Sequence, residues 1–209
     1  GKPMISNYGM YAADYLSIID EIESFHFEYN PSYANDLITD ALENAGAEKI
    51  HDTWYHDGEQ IEISFFIRSD DPIRKSIGEI LSYELENIGF KVKKDFGDLN
   101  KAFVVVYGSN PATQKWHLYT EGWGSSGFSK YDSVGLAQMY SPWFSNMPGN
   151  NDPTYWNYKN DYIDTLTQKI YIGDFTSAQE RTSLIEEATK EGVNESVRVF
   201  LASKTDQFI

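Results

Sequence analysis

The sequence predicts an α/β fold in which helices flank a central mixed or parallel sheet. Three observations favour it: two capped amphipathic helices, an apolar strand-like run between them, and a second such run after the second helix. The order strand, helix, strand is typical of a parallel crossover, because parallel strands need a long connection that is usually helical.

The first helix is expected to begin at Pro31. Asn30 can cap its free amide groups, and Pro31 suits the first helical position because an N–H there would have no helical partner. Apolar residues then recur at helical spacing, namely Ala34, Leu37, Ile38, Ala41, Leu42 and Ala45. Gly46 can adopt the left-handed conformation that ends a helix.

A hairpin-like region follows. Trp54 and Tyr55 lead into the turn signal His56-Asp57-Gly58, after which apolar and polar residues alternate. The pattern predicts a second strand that continues to Arg68.

The second helix is expected to open at Asp70-Asp71-Pro72 by the same capping logic and to end at Gly89. Its predicted buried stripe consists of Ile73, Ile77, Ile80, Leu81, Leu85 and Ile88. A strand through Phe90, Val92 and Phe96 should follow.

The centre of the chain is less regular. Residues 99–108 fit either a strand or one helical face, and residues 115–123 predict a strand. Residues 124–158 are rich in Gly, Ser, Asn, Pro and aromatic side chains, so we expect a long functional loop there.

Two helices should close the chain, at about 160–171 and 177–191. Thr176 and Gln179 are expected to form a capping box for the second of them. A final strand is predicted through Val197, Val199 and Leu201.

Composition excludes several classes of function. Lys and Arg number 17 against 32 Asp and Glu, for a formal net charge of −15, and no basic face is visible for nucleic acid or anionic lipid. The absence of cysteine excludes disulfides and thiolate zinc sites. No apolar run approaches the ~20 residues that span a bilayer, so direct membrane insertion of this chain is not expected. No P-loop motif or G-x-S-x-G elbow is present, and we expect neither a cofactor nor catalysis.

One polar cluster is a candidate metal site, and it consists of His51, Asp52, His56, Asp57 and Glu59. Its spacing matches no zinc motif, and the residues are better interpreted as the polar flanks of a hairpin turn.

Four blocks of the chain, spanning about residues 29–190, resemble a known family. They are Tyr29-Asn30-Pro31 to Gly46, Asp71-Pro72 to Val92, Gly122-Trp123-Gly124, and Asp161-Tyr162-Ile163-Asp164 to Arg181. In this order they are similar to segments of the oligopeptide/dipeptide/nickel-type extracellular solute-binding proteins (family 5) of ABC transporters.

The resemblance implies a periplasmic-binding-protein-like lobe. Family members have two lobes around a cleft, and the blocks belong to the C-terminal lobe. We therefore expect a lead-in segment at 1–28, a solute-binding lobe at 29–192, and a strand returning toward the other lobe at 193–209. The opening Gly1-Lys2-Pro3-Met4 carries no signal peptide and suggests a piece of a longer gene product.

The resemblance also implies ligand-binding residues. Peptide-binding relatives carry an Arg at the position of Arg68 that pairs with a ligand carboxylate, although a surface ion pair is the alternative. They place an Asp where this chain has Ser126, and Asp132 in the same loop is a candidate replacement. Trp123 and Phe128 are further candidates for the ligand site.

A sugar is also a candidate ligand, because aromatic faces stack on sugar rings. The aromatic residues in question are Trp123, Phe128, Tyr131 and Trp143. Packing of Trp123 at a strand end and of Trp143 as a loop anchor is the alternative. An oligopeptide is the expected solute and an oligosaccharide the second candidate. A carbohydrate-binding module or a glycoside hydrolase domain is the rival function.

The resemblance places the protein outside the cytoplasm. We expect the periplasm or the cell surface, with the full-length protein anchored to a membrane. The implied partners are the solute and, through the full-length protein, the membrane permease of an ABC transporter.

Overall fold

The structure, a computed structural model, describes residues 2–4, 6–8, 14–25, 27–124 and 132–203. The helices of four or more residues are α1 (Tyr15–Ser24), α2 (Pro31–Asn44), α3 (Pro72–Ile88), α4 (Leu99–Ala102), α5 (Gly135–Tyr140), α6 (Asp161–Ile172) and α7 (Ala178–Glu195), with a π-helix at Phe103–Tyr107. The strands are β1 (Lys2–Pro3), β2 (Glu48–Ile50), β3 (Thr53–His56), β4 (Glu59–Gln60), β5 (Glu62–Arg68), β6 (Lys91–Gly97), β7 (Leu118–Tyr119) and β8 (Ala202–Ser203).

The chain divides into two units. The first, called here the helical unit, comprises residues 1–27, 124–150 and 156–209. The second, called the sheet unit, comprises residues 28–123 and 151–155. The predicted division into lead-in, lobe and returning strand stays a prediction.

A three-stranded parallel sheet organises the sheet unit. Its order is β6-β5-β7, and β5 pairs with β6 from Glu62 opposite Lys91 to Arg68 opposite Gly97. The four residues of β5 from Phe65 to Arg68 are all buried. Helix α3 connects β5 to β6, so the predicted α/β crossover is confirmed.

Helix α3 packs on the sheet through small residues, and the predicted aliphatic stripe was partly wrong. Gly78 and Ser82 are its buried residues, whereas Ile73 and Ile80 are exposed. A Cβ atom on Gly78 would lie 2.6 Å from Cγ2 of Ile67. The backbone of α3 therefore approaches β5 too closely for a larger side chain at that position.

The hairpin forms as expected and gains a third strand. Strands β2, β3 and β4 pair in sequence order as an antiparallel sheet. Asp57 and Gly58 make the predicted turn with φ of 51° and 80°, and His51 and Asp52 make the preceding one with φ of 48° and 62°. Both pairs lie in the left-handed region that tight hairpin turns require.

Helix α2 has its predicted ends but not a buried face. The side chain of Asn30 accepts from the N–H of Tyr33, and Gly46 follows the helix with φ of 86°. No residue of α2 is buried.

The structure decides the conformation of two central segments, the ambiguous residues 99–108 and the strand expected over 115–123. Residues 99–107 are helical, because Ala102 and Val106 face a core that also contains Phe66. The strand expected over 115–123 is limited to the two residues of β7. Adjacent backbone bonds from the N–H of His117 and of Thr120 extend its contact with β5 without a regular strand.

The helical unit is built around α1, α5, α6 and α7. Their buried side chains form one core that includes Ile18, Tyr140, Ile163 and Ile185. Helix α5 lies inside the segment expected to be a long loop, because Leu136, Met139 and Tyr140 supply a local apolar face that sequence periodicity did not reveal.

Two predictions for the end of the chain were wrong. The cap of α7 is Ser177, whose side chain accepts from the N–H of Glu180, while the Glu180 carboxylate binds back to Thr176. The cap thus lies one residue later than the expected Thr176–Gln179 pair. Residues 197–201 form no strand, because Phe200 packs on the helical core; β8 follows at Ala202–Ser203 and pairs with β1.

Candidate functional site

The carboxyl edge of the parallel sheet brings together residues that follow different strands. Arg68 ends β5, Asp98 follows β6, and Thr120 to Trp123 follow β7. Because the three strands are parallel, their carboxyl ends meet at one edge. This edge is the usual ligand site of open α/β sheets.

Arg68 is the central side chain of this edge. Only 6% of the residue is exposed, and its backbone N–H donates to Oγ1 of Thr120 at 2.9 Å. Its guanidinium binds Asp70 through two parallel bonds, from Nε to Oδ1 at 2.7 Å and from Nη2 to Oδ2 at 2.8 Å. The third nitrogen, Nη1, donates to the Tyr119 hydroxyl at 3.3 Å. All three nitrogens of the fork thus have a partner within the chain.

This pairing fixes the charge of both groups. The hydrogen bonds from Arg68 lower the pKa of the Asp70 carboxyl to about 2. The same bonds raise the pKa of Arg68 above its ordinary value, against the opposing effect of burial. The pair is therefore ionised throughout the physiological range and carries no net charge.

A second ion pair lies at the start of α3. Oδ1 of Asp71 caps the helix by accepting from the N–H of Ile73 at 2.9 Å and of Arg74 at 3.2 Å. The guanidinium of Arg74 lies 3.3 Å from Oδ2 of Asp71. It also passes over Gly122, where a Cβ atom would lie 2.6 Å from Cζ of Arg74. Gly122 thus leaves the space that Arg74 needs beside Asp71.

Aromatic side chains line the β7 side of the edge. The hydroxyl of Tyr107 donates to the carboxylate of Glu121, and the rings of Tyr107 and Tyr119 meet edge to face at 6.2 Å. Trp123, four residues beyond β7, is 39% exposed. The described residues of the edge therefore include paired charges, hydroxyl groups and the partly exposed indole of Trp123.

No protein-family model matches the chain, and no curated protein matches it. Several solved structures, however, are similar to the chain. A mannohexaose-bound periplasmic oligopeptide-binding protein from Thermotoga maritima is similar with a TM-score of 0.66 and 13% identity, over 95% of this chain and 36% of that one. NikZ from Campylobacter jejuni, in complex with Ni(L-His), is similar with a TM-score of 0.58 and 23% identity, over 80% and 31%.

The oligopeptide-binding protein AppA from Bacillus subtilis, in complex with a nonapeptide, is similar with a TM-score of 0.58 and 17% identity, over 80% of this chain and 30% of AppA. The chain has the fold of oligopeptide- and nickel-type solute-binding proteins. The resemblance predicted from the four sequence blocks is thus confirmed as a likeness of fold. The chain spans about a third of the length of these solute-binding proteins.

The predicted site residues that the structure describes belong to both units. Arg68 and Trp123 belong to the sheet unit, and Asp132 belongs to the helical unit. Ser126 and Phe128 lie outside the described residues, as does Tyr131. The ligand-binding role of these residues stays a prediction.

Asp132 already has structural partners. Its Oδ1 accepts from the N–H of Val134 at 3.0 Å and of Gly135 at 2.8 Å, at the turn that leads into α5. Its backbone carbonyl accepts from Nη2 of Arg181 at 2.7 Å. Trp143 donates through Nε1 to Thr167 at 3.1 Å, which anchors its segment to α6.

Sequence reasoning missed Asp70 as part of the site. Asp70 and Asp71 both precede a proline, and either could cap α3, so the pattern gave no reason to separate them. The structure assigns the cap to Asp71 and leaves Asp70 to Arg68. An acid two residues after a strand-end arginine was the available signal.

Two further observations concern the described part of the chain. It contains no group of three or more His, Cys, Asp or Glu side chains arranged to hold a metal ion. None of its helices has the length and apolar character that crossing a membrane requires.

Proposed function

We propose that this chain captures a solute as one lobe of an extracytoplasmic two-lobed binding protein and performs no chemistry. One observation carries the proposal: 95% of the chain superimposes on a periplasmic binding protein, with a TM-score of 0.66. The other compared structures are binding proteins too.

The carboxyl edge of the sheet unit supports a capture mechanism. It presents a guanidinium–carboxylate pair, tyrosine hydroxyls and a partly exposed tryptophan on one rim. Binding proteins of this kind trap the solute when two lobes close over it by a hinge motion. The edge would form one wall of the cleft, and the other lobe would supply the opposite wall.

An oligopeptide is the solute expected from the sequence blocks, and an oligosaccharide is the second candidate. Compared proteins were solved with a nonapeptide, with Ni(L-His) and with mannohexaose. The exposed indole of Trp123 is the feature of this chain that favours a sugar. A carbohydrate-binding module or hydrolase domain remains the rival.

The proposed setting follows from the function. The protein would act in the periplasm or at the cell surface, held to a membrane in its full length, and would pass its solute to the permease of an ABC transporter. The likeness to periplasmic binding proteins supports this setting.

A thermal-shift screen tests the proposal. The natural full-length protein that carries this chain is screened against peptides, oligosaccharides and nickel chelates. A true ligand at 100 times its Kd should stabilise the native state by about 2.7 kcal/mol. No shift with any solute class, or hydrolysis of a saccharide, would contradict the proposal.

A variant pair assigns the solute to the edge. Trp123→Ala should reduce the ligand-induced shift, because it removes the exposed indole. Tyr83→Ala is the control: Tyr83 is also an exposed aromatic of the sheet unit, but it lies eleven residues along α3 from Pro72, roughly 16 Å away. Equal shifts in both variants would exclude this edge as the ligand site.

A further inference from the structure

Strand β7 is joined to β5 by a short ladder, and at both ends of this ladder a side chain serves as an acceptor. At one end, the backbone N–H of Ser64 donates to Nδ1 of His117 at 2.9 Å, and the N–H of His117 donates to the Ser64 carbonyl at 2.7 Å. At the other end, the N–H of Arg68 donates to Oγ1 of Thr120 at 2.9 Å, and the N–H of Thr120 donates to the Phe66 carbonyl at 3.2 Å. Because β7 itself has only two residues, its attachment to β5 depends on these four flanking bonds as well as on its own pairing.

The bond from Ser64 requires one protonation state of His117. A backbone N–H can only donate, so Nδ1 of the ring is the acceptor, which requires a neutral imidazole with its proton on Nε2. In the imidazolium form both ring nitrogens carry a proton, and the N–H of Ser64 would face another donor. The bond therefore exists only while the ring is neutral. Thr120 at the other end of the ladder has no such dependence, because a hydroxyl oxygen can accept at every pH.

Charged groups of both signs lie around His117. Glu62 of β5 is the acidic one, and the pKa of Glu62 is lowered first by its hydrogen bond from Lys91 and also by the charges of Lys91, Lys93 and His117. Nζ of Lys91 lies 2.7 Å from the Glu62 carboxylate, so these two side chains form a pair without net charge. Lys93 of β6 and Lys115, two residues before His117, both oppose a further positive charge. His117 is exposed, so burial does not block protonation of its ring, and Glu62 already has a cation of its own.

We propose that His117 is a pH-sensitive switch that joins the start of β7 to β5 and thereby positions the partners of Arg68 at the carboxyl edge. Those partners are Tyr119 and Thr120, which follow His117 by two and three residues and bind Nη1 and the backbone N–H of Arg68. Histidine side chains take up a proton as the pH falls from about 8 to 5. Above that range the bond from Ser64 is present; below it the bond is lost, and the start of β7 separates from β5. The switch itself stands without the proposed function, and only its consequence, a weaker hold on the solute at acid pH, rests on that function.

Hydrogen exchange of single amides in the full-length protein tests the switch. It is followed by mass spectrometry at about pH 8 and about pH 5, on either side of the range in which histidine changes its charge. After correction for the pH dependence of exchange in an unstructured chain, the protection of the Ser64 amide should fall by about 2- to 10-fold at the lower pH, as expected for the loss of one hydrogen bond. The Arg68 amide should lose protection in the same direction, because Thr120 belongs to the same segment as His117. The amide of Lys91 is the internal control, since it donates to the Ile61 carbonyl at 3.1 Å and should keep its protection.

Two substitutions of His117 separate the charge of the ring from its hydrogen bond. His117→Asn supplies a neutral amide oxygen as the acceptor, so the Ser64 amide should be protected equally at both pH values. His117→Phe removes the acceptor, so the protection of Ser64 should be low at both. His51→Asn is the matched control, because His51 is another exposed histidine of the sheet unit and asparagine tolerates its φ of 48°. The control should show the same fall in Ser64 protection as the wild type.

Three outcomes would overturn this role of His117. They are equal protection of Ser64 at both pH values in the wild type, a pH response of Ser64 that persists in His117→Asn, and a loss of protection at Ser64 that leaves Arg68 unchanged. The first and the third come from the wild type alone, so the switch stays testable if a variant does not fold. A screen in which no solute binds would overturn the proposed function and leave the switch intact, because the amides report on β7 without a ligand.

Discussion

Each unit of the molecule contains an arginine that binds an aspartate through two bonds, and the two pairs differ in the length of chain they join and in the exposure of the aspartate. In the sheet unit, Arg68 binds an aspartate two residues away, at the rim of the sheet. In the helical unit, Arg181 binds Asp14 across 167 residues of sequence, with bonds of 2.6 and 3.0 Å. The side chains of the second pair are only 10% and 8% exposed.

The difference indicates what each pair does. The Arg68–Asp70 pair closes a very short loop, so little chain entropy is lost and little of the fold depends on it. The Arg181–Asp14 pair joins α7 to the start of α1, and Nη2 of Arg181 also binds the carbonyl of Asp132 ahead of α5. We infer that the buried pair supports the structure of its unit, whereas the rim pair sets the chemistry of its surface.

The largest expected effect comes from breaking the buried pair. Arg181→Met leaves the carboxylate of Asp14 in the core without its cation, which should cost about 3–5 kcal/mol in the free energy of unfolding. Urea denaturation measures the loss. Arg74→Met is the control, since it removes one partner of a more exposed pair and should cost less than about 1 kcal/mol.

If Arg181→Met does not fold, the double variant Asp14→Leu with Arg181→Met keeps the test open. It replaces both charges by apolar side chains and should recover most of the stability. A loss below about 1 kcal/mol in the single variant would show that the two pairs are equivalent and would break the comparison.

A smaller loss is expected from packing beside the rim pair. Gly78→Ala places a Cβ atom 2.6 Å from Ile67, the residue before Arg68, so α3 must shift away from β5. Overpacking of this kind costs about 1–3 kcal/mol. Gly124→Ala is the control, because nothing lies within 4 Å of a Cβ atom there. Equal urea midpoints for the two variants would contradict close packing of α3 on the sheet.

The smallest effect is the pH dependence of the rim pair. In the folded state Arg68 holds the pKa of Asp70 at about 2, below its ordinary value of 3.8. The unfolded state therefore takes up the proton first as the pH falls. The pair stabilises the protein fully above about pH 5, and this contribution disappears as the pH falls toward 2.

Urea midpoints of the wild type and of Asp70→Asn, measured at several values between pH 6 and 2, check this. The difference between the two proteins should be constant above about pH 5 and should shrink below pH 4. The variant Asp98→Asn, which changes another aspartate of the same sheet edge, is measured in the same way as the control. A difference that stays constant down to pH 2 would show that Asp70 gains nothing from Arg68.

Much of the fold was predictable because its elements carry local signals. Asn30, Asp71 and Asn160 cap their helices through side-chain bonds that involve residues two or three positions away. The strand predictions over 115–123 and through Val197 to Leu201 were wrong because no such local signal decides the backbone conformation there. Apolar side chains such as Trp116 and Phe200 pack on the core from irregular backbone, and alternation alone does not separate that case from a strand.

The candidate site was predictable only in part. Arg68 and Trp123 were predicted from the resemblance to the family, since Trp123 lies in one of the four blocks and Arg68 lies three residues before another. The partner of Arg68 was missed because Asp70 and Asp71 have the same capping signal. No sequence pattern could pair Asp14 with Arg181, since only the folded chain brings residues 167 positions apart together.

The long span of that buried pair has a consequence for the order in which the protein is made. Residues 28–123 leave the ribosome as one stretch and contain the whole parallel sheet, so the sheet unit can begin to fold early. Asp14 emerges before them and must wait for Arg181. At synthesis rates of about 5–20 residues per second, the wait is roughly 8–33 s. During that time Asp14 lacks its partner Arg181, and the helical unit is completed after the sheet unit although Asp14 is synthesised before it.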